Sequence, residues 1–396
     1  MKLFPKLSLI LLSVLTSQNV GKANDVVELK QLQSLVTGLM VRELGVASFM
    51  GKASQMNTTA VPNKGGGRAT LKFNQDVGGE MQTALSEVQK FLTVRHAGWP
   101  DDFEIEISFE EKYGPKDGPS AALACGLMLE SLLSGVNIYA QAAVTGDMNA
   151  DGSVQPVGGV PDKIRGATAA GCPLIIMPKA CESQMIDAAL MSGIESLYSI
   201  QIFSVANFND AWAVAVVKQD ERMTRAIETF TTIQQALRAQ ANPMSIMRHP
   251  KMIERLTQVI SDAPNHFSAN LLLEYSMGRA PKILTPRGSL TQIDAAADAL
   301  IKAIQFRTTD QLAPDTLASA ISRLNRLRTY VDPRTVPYMD SLVDLGNEIR
   351  KIKNLPPRSA PERAKAVNRI NEYCRSVESA ASLLSANRVF AEEISR

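Results

Sequence analysis

Aromatic residues make up 5% of this 396-residue chain, which has only three histidines, four cysteines and a formal net charge of +2. Each scarcity closes off a class of function. Nucleic-acid binding draws on a concentrated positive surface, often interleaved with exposed aromatics. Here Lys and Arg are mixed with Asp and Glu, and even Glu348-Ile349-Arg350-Lys351-Ile352-Lys353 alternates charge with apolar residues, as a solvated helix end does. No nucleic-acid partner is expected. The cysteines, at 125, 172, 181 and 374, form no CxxC pair. They read as small buried thiols, with a single Cys172–Cys181 bridge left open in an oxidising compartment. No GxxxxGK[ST] element occurs, so no nucleotide is implied. Asp147, Asn149 and Asp151 lack the later glutamate of an EF-hand loop and read as a hairpin turn. Neither a metal nor a cofactor is expected.

Long apolar runs are also missing, apart from the first residues. Met1-Lys2-Leu3-Phe4-Pro5-Lys6 is a short positive segment, residues 7–15 are apolar except for Ser8 and Ser13, and Gly21-Lys22-Ala23 is a small-residue exit. The apolar stretch falls well short of the roughly 20 residues that span a bilayer. Residues 1–23 are therefore read as a signal peptide cleaved after Ala23, and the chain as exported, periplasmic or secreted. An uncleaved membrane anchor is the alternative; with no cysteine following, a lipid anchor is disfavoured.

What is present divides in two. Residues 24–218 mix short apolar runs with glycine-rich turns and predict an α+β domain. Residues 36–41 and 46–50 read as a hairpin, and 65–73 as a glycine turn feeding a strand. Met81, Leu85, Val88 and Leu92 recur at helical spacing within 79–95. Residues 103–109 alternate Phe103, Ile105, Ile107 and Phe109 with acidic neighbours, as a half-buried strand does. A helix is expected from Ser120 to Leu133, stopped by Gly135, then a strand over 140–145, a turn at 149–152 and a segment over 153–157. Helices over 162–170 and 181–191 flank a buried strand at 174–177. Beyond a cut near 218–222 the chain reads as helical: 223–238, 250–260, 292–305, 312–330, 336–352 and 361–387. No repeat period recurs. Residues 219–396 carry no chemical motif, so binding or assembly is expected of them.

The chemistry concentrates at two side chains. Ser120 stands at the mouth of an apolar helix in Gly114-Pro115-Lys116-Asp117-Gly118-Pro119-Ser120-Ala121-Ala122, and Lys163 opens another after Pro156-Val157-Gly158-Gly159-Val160-Pro161-Asp162. A serine hydroxyl needs a base. His96, His249 and His266 lie in no partner motif, whereas a neutral lysine can serve. Its pKa must fall from near 10.4 to roughly 7 or 8, which burial and a helix N-terminus both favour. Asp162 would oppose that if it faced the amine, so it is expected to point to solvent or cap the helix. Lys116, the rival base, reads as an exposed charge. Gly118 permits close backbone approach, Pro119 fixes the turn, and free amides near Asp117 to Ser120 are candidate oxyanion donors. Taken alone, a serine at a helix start is more often a cap, and a lysine more often a surface charge.

In order along the chain, Pro115 to Ala121, Val144-Thr145-Gly146-Asp147, Gly152-Ser153-Val154-Gln155-Pro156-Val157-Gly158-Gly159-Val160, Lys163 and Leu174 to Lys179 resemble the proteolytic domain of the Lon protease family. The resemblance runs more weakly from about 36 to 217. It implies a serine–lysine dyad peptidase, Ser120 attacking the peptide carbonyl and Lys163 shuttling the proton. Thr145 would help hold Lys163, with Asp117, Gly118, Pro119 and Gly146 shaping the site. Three positions depart from the family pattern: Ala122 for glycine, Pro161 for lysine and Asp147 for glutamate. Lon enzymes couple this domain to an ATPase, so a chain without a phosphate-binding loop is expected to cut flexible or unfolded polypeptides without ATP. The resemblance also implies a homo-oligomer. The rival expectation is an exported binding or scaffold protein that keeps the fold without turnover.

Overall fold

In a computed structural model of the protein, residues 27–45, 48–111, 116–357 and 359–395 are described. The signal peptide expected at 1–23, the hairpin residues Val46 and Ala47, and Gly114 and Pro115 of the serine motif lie outside them. The first half contains β1 (Gln33–Gly45), β2 (Ser48–Pro62), β3 (Thr70–Phe73), α1 (Gly79–Arg95), β4 (Phe103–Phe109), α2 (Ala122–Ser134), β5 (Ala143–Val144), β6 (Asp147–Met148) and β7 (Val154–Gln155). There follow α3 (Val160–Ala169), β8 (Leu174–Pro178), α4 (Glu182–Ser192), α5 (Glu195–Ser199), β9 (Gln201–Val205) and α6 (Phe208–Ala215). The remainder is helical: α7 (Glu221–Arg238), α8 (Met244–Met247), α9 (Pro250–Asp262), α10 (Phe267–Ser276), α11 (Pro286–Gln305), α12 (Pro314–Leu327), α13 (Val336–Asn354), α14 (Ala360–Ala386) and α15 (Arg388–Ser395). The α+β expectation holds.

Seven strands form one mixed sheet in the order β3-β4-β2-β1-β5-β8-β9. The long hairpin β1–β2 and the β2–β4 pair are antiparallel, while β5, β8 and β9 continue from β1 in parallel. Helix α2 is apolar all round because it is enclosed: every residue from Ala122 to Leu133 is buried. Gly135 ends it in the left-handed conformation, φ 74°, its amide bonded to the Ser131 carbonyl. The one charge inside, Glu130, is met by Arg95 Nε at 3.2 Å and His96 Nε2 at 2.8 Å from the end of α1.

Helices α2 and α3 lie on opposite faces of the β1–β2 hairpin. Thr58 Oγ1 contacts Met128 Sδ of α2 at 3.4 Å. Gly51, an odd number of residues away on the same strand, faces α3 so closely that a Cβ there would stand 1.8 Å from the Asp162 carbonyl oxygen. Between the two helices the sheet is interrupted. Strand β5 pairs with β1 only at Thr37 and Gly38, whereas β1 runs on to Gly45. From Leu39 onward that edge of β1 has no strand partner among the described residues.

The far edge of the sheet is closed by the helical half. The Ser204 amide donates to the Asn265 carbonyl at 3.0 Å and the Ile202 amide to Ser268 Oγ at 3.0 Å, which occupies β9 backbone groups that could otherwise template aggregation. His266 is wedged here against the rings of Phe203 and Phe230, with centroids 4.5 and 4.2 Å away. Buried residues of α7, α8, α9 and α10, from Met223 to Leu272, join the same hydrophobic core as the sheet. A second core spans Leu284 to Ile349 and Val377. Asp187 of α4 ties the two, accepting from the Thr285 amide at 2.8 Å and Thr285 Oγ1 at 2.6 Å. The cut expected at 218 thus precedes four helices, α7 to α10, that pack on the first core.

Candidate active site

The gap beside β1 opens into a cleft of about 900 Å³ lined by Ser120 and Lys163 together. Ser120 sits in a single 3-10 turn, Pro119–Ala121, that leads into α2. Gly118 precedes it at φ 92°, a conformation that favours glycine, and its amide donates to Asp117 Oδ1 at 2.8 Å. Asp117 therefore organises the turn by occupying the Gly118 amide. Among the described residues the Ser120 amide donates to nothing. The Asp117 carboxylate also fills the space over Gly78, where a Cβ would lie 1.9 Å from its Cγ.

Thr145 and Gly146, immediately after β5, fasten the serine turn. The Gly146 amide and Thr145 Oγ1 both donate to the Ser120 carbonyl, at 2.9 and 3.3 Å, and the Leu123 amide donates back to the Gly146 carbonyl at 3.0 Å. Thr145 Oγ1 in turn accepts from Lys163 Nζ at 3.0 Å. One hydroxyl links the backbone of Ser120 to the amine of Lys163. Ser120 Oγ itself has no hydrogen-bond partner among the described residues, as is common for catalytic pairs without substrate.

Lys163 lies in the first turn of α3 and is 3% exposed. Burial lowers its pKa from 10.5 to about 8, and the buried Cys181 thiol nearby acts weakly in the opposite direction. Asp162 does not pair with the amine; its carboxylate is held by Arg165, one helical turn on. The glycine preceding α3, Gly159, has φ 67° and stands so close to β1 that a Cβ would be 2.8 Å from Val41 Cγ2. Cys172 and Cys181 are separate buried thiols.

Lys116 corrects an expectation. It is 7% exposed, with Nζ 5.5 Å from the centre of the Phe109 ring, and it lines the cleft. Adjacent Asp117 and Gly118 suggested a solvated loop; contact with the Phe109 ring at the end of β4, a few residues earlier in the chain, is what draws the lysine in. Sequence reasoning also missed the wall made by Met40, Val41, Arg42, Lys52 and Met56. Those residues read as ordinary strand, and only the shortness of β5 turns them into a lining. Asp147, the departure from glutamate, bonds to the Met148 amide at 2.7 Å, and burial raises its pKa.

Residues 15–217 match the C-terminal proteolytic domain of Lon protease (S16). The chain is 28% identical over 197 residues to a Lon protease of Azospirillum brasilense, 49% of this chain and 23% of that one. It is 32% identical over 160 residues to Lon protease 1 of Myxococcus xanthus, 39% of this chain and 19% of the relative. A Lon protease of Heliobacterium modesticaldum is 32% identical over 148 residues, 36% and 17% of the two chains. The chain thus spans less than a quarter of the length of these curated relatives. With half of its residues in that match, the chain belongs to the Lon (S16) family of serine peptidases.

Proposed function

We propose that this protein is an ATP-independent endopeptidase that cuts flexible or unfolded polypeptides with Ser120 as nucleophile and Lys163 as general base. The observation that carries the reading is a buried lysine, its pKa brought down to about 8, held by a hydroxyl that also grips the serine backbone. Neutral Lys163 takes the Ser120 Oγ proton as oxygen bonds to the carbonyl carbon. The C–N bond then breaks as Lys163 returns the proton to the departing amine. Water, activated by the same amine, releases the acyl group by the reverse steps. The unoccupied Ser120 amide is the donor best placed for the oxyanion, with Asp117, Gly118 and Pro119 setting its direction and Thr145 and Gly146 fixing its position. The free edge of β1 suits an extended chain laid alongside it, a geometry that folded proteins do not offer.

ATP independence rests on the lack of a GxxxxGK[ST] element in the 396 residues. Export, homo-oligomerisation and a protein partner for the helical half belong to the same proposal. No described helix is long and apolar enough to cross a membrane. The test is cleavage of an unfolded protein without ATP by the wild type, Ser120→Ala and Lys163→Ala. Loss of turnover in both variants, with unchanged circular dichroism, supports the dyad. Cleavage undiminished by either substitution rejects it, and binding without cleavage by the wild type favours a non-catalytic scaffold.

A further inference from the structure

The cleft holds more positive charge than it neutralises. Its lining includes Arg42, Lys52 and Lys116 besides Lys163. Lys52 is met by Glu111 at 2.7 Å. Of the other two lining carboxylates, Asp162 is held by Arg165, while Asp117 accepts from the Gly118 amide, a bond that cancels no charge, which leaves Arg42, Lys52 and Lys116 facing Glu111 and Asp117. Among the described residues, Arg42 and Lys116 have no carboxylate within ion-pairing distance. For exposed Arg42 water suffices. Lys116 is 7% exposed and lies over the face of Phe109, and the Glu111 carboxylate, in contact with Lys52, also feels the charges of Lys116 and Arg42, so one carboxylate serves three cations. A buried ammonium whose nearest carboxylate is already in contact with another lysine is incompletely compensated, and an arriving anion completes the compensation.

Strand register places these groups together. Cross-strand partners share a face of the sheet, and the pairs Met40 with Lys52, Arg42 with Met50 and Met56 with Phe109 put Arg42, Lys52, Met56 and Phe109 on one face. It is the face bearing Thr58, which touches the helix that Ser120 leads into. Met56, Met81 and Phe109 supply an apolar floor there. A side chain with a short methylene stem and a carboxylate tip fits that floor and that charge.

We infer that the cleft selects polypeptides carrying an acidic side chain, glutamate best, beside the bond to be cut, with Lys116 and Arg42 as the residues that select it. The inference rests on the peptidase reading above. The test uses the full chain and a set of quenched fluorescent peptides in which one residue near the scissile bond is Glu, Gln or Lys, walked through the flanking positions. At one position the Glu peptide should be cut about ten-fold faster in kcat/KM than its Gln counterpart, and the Lys peptide slowest. Added salt should shrink the advantage. Lys116→Glu should reverse the Glu and Lys order, and Arg42→Glu, at an exposed strand position, should weaken the preference. If Lys116→Glu fails to fold, the wild-type ratios and their salt dependence carry the test. Equal rates for all three peptides at every position overturn the selectivity and leave the peptidase standing. No cleavage of any peptide or of an unfolded protein overturns both.

Discussion

The Lys163 amine is buried at a cost in stability at neutral pH. Unfolded, it keeps its proton to its ordinary value of 10.5; folded, it gives the proton up near 8. Between those values the unfolded chain binds more protons than the native one, so stability rises with pH through that window. Below pH 8 the native state bears the whole penalty, on the order of 3 kcal/mol. Lys163→Met should therefore abolish cleavage yet raise the melting temperature at pH 7 by a few degrees, partly offset by the lost Thr145 bond, with the difference narrowing toward pH 10. For the wild type, kcat/KM should climb from pH 6 and level off above about 8. Thr145→Val keeps the shape while removing the link from amine to serine turn. It should lower kcat/KM by ten-fold or more and cost about 1–2 kcal/mol in denaturant titration. A rate unchanged by Thr145→Val would show that Lys163 is held by burial alone. Taken alone, the patterns around Ser120 and Lys163 were weak; the ordered resemblance to the Lon proteolytic domain singled the two residues out, and both line one cleft. The burial of Lys116 was not legible in the sequence, because it depends on the chain after β4 bringing its ammonium back over Phe109, and no periodic pattern announces that.

The position of α3 is set by its contact with β2. At Gly51 the hairpin touches the helix backbone to backbone, and Gly166 meets the same spot, where a Cβ would lie 2.5 Å from the Gly51 carbonyl carbon. Gly51→Ala should cost about 1–3 kcal/mol by overpacking. Because the obstacle is the carbonyl of Asp162, next to Lys163, the helix is what must yield, and kcat/KM should fall by more than the loss of folded protein explains. Thermal melting and single-turnover rates on the same preparation separate the two effects. Elements governed by local periodicity matched the sequence reading closely. Helix α1 and strand β4 occupy the expected 79–95 and 103–109, since a 3.6-residue stripe and a two-residue alternation identify themselves. Strand β5 was expected over 140–145 and pairs only at Ala143–Val144, for pairing ends where a neighbour stops, which no window of one strand reveals. Helix α10 was missed; its cap is a histidine rather than one of the usual Ser, Thr, Asp or Asn signals, and Ser268, Ala269 and Leu272 are buried around it without a polar stripe.

Across the whole molecule, the boundary that matters physically is where one core gives way to the next. A chain ending at residue 218 would uncover the outer side of β9 and the apolar surface that Ala226, Phe230 and Ile233 cover. It should express as aggregate. A chain ending near 280 keeps that cover and loses only the second core with its Asp187 tie, so it should stay soluble and melt cooperatively. Soluble, folded protein from the shorter chain would refute the shared core. The change from mixed to helical grammar near 218 was visible in the sequence, but a change in secondary structure does not mark which helices a sheet recruits. His266 shows what that recruitment entails. It is fully buried, its Nδ1 accepts the Ala269 amide at 3.2 Å, and burial drives its pKa from 6.5 to about 3. The unfolded chain holds the extra proton between those values, so stability is lost as pH falls through that interval. Because a charged imidazole could no longer accept from Ala269, each pH unit below 6.5 lowers the cost of opening this site by about 1.4 kcal/mol, so the pin between sheet and helices loosens near pH 5 while most carboxylates elsewhere remain ionised. Mild acid should therefore make this protein sticky before it makes it disordered: on titration from pH 7 to 4, light scattering should rise ahead of any fall in helical ellipticity.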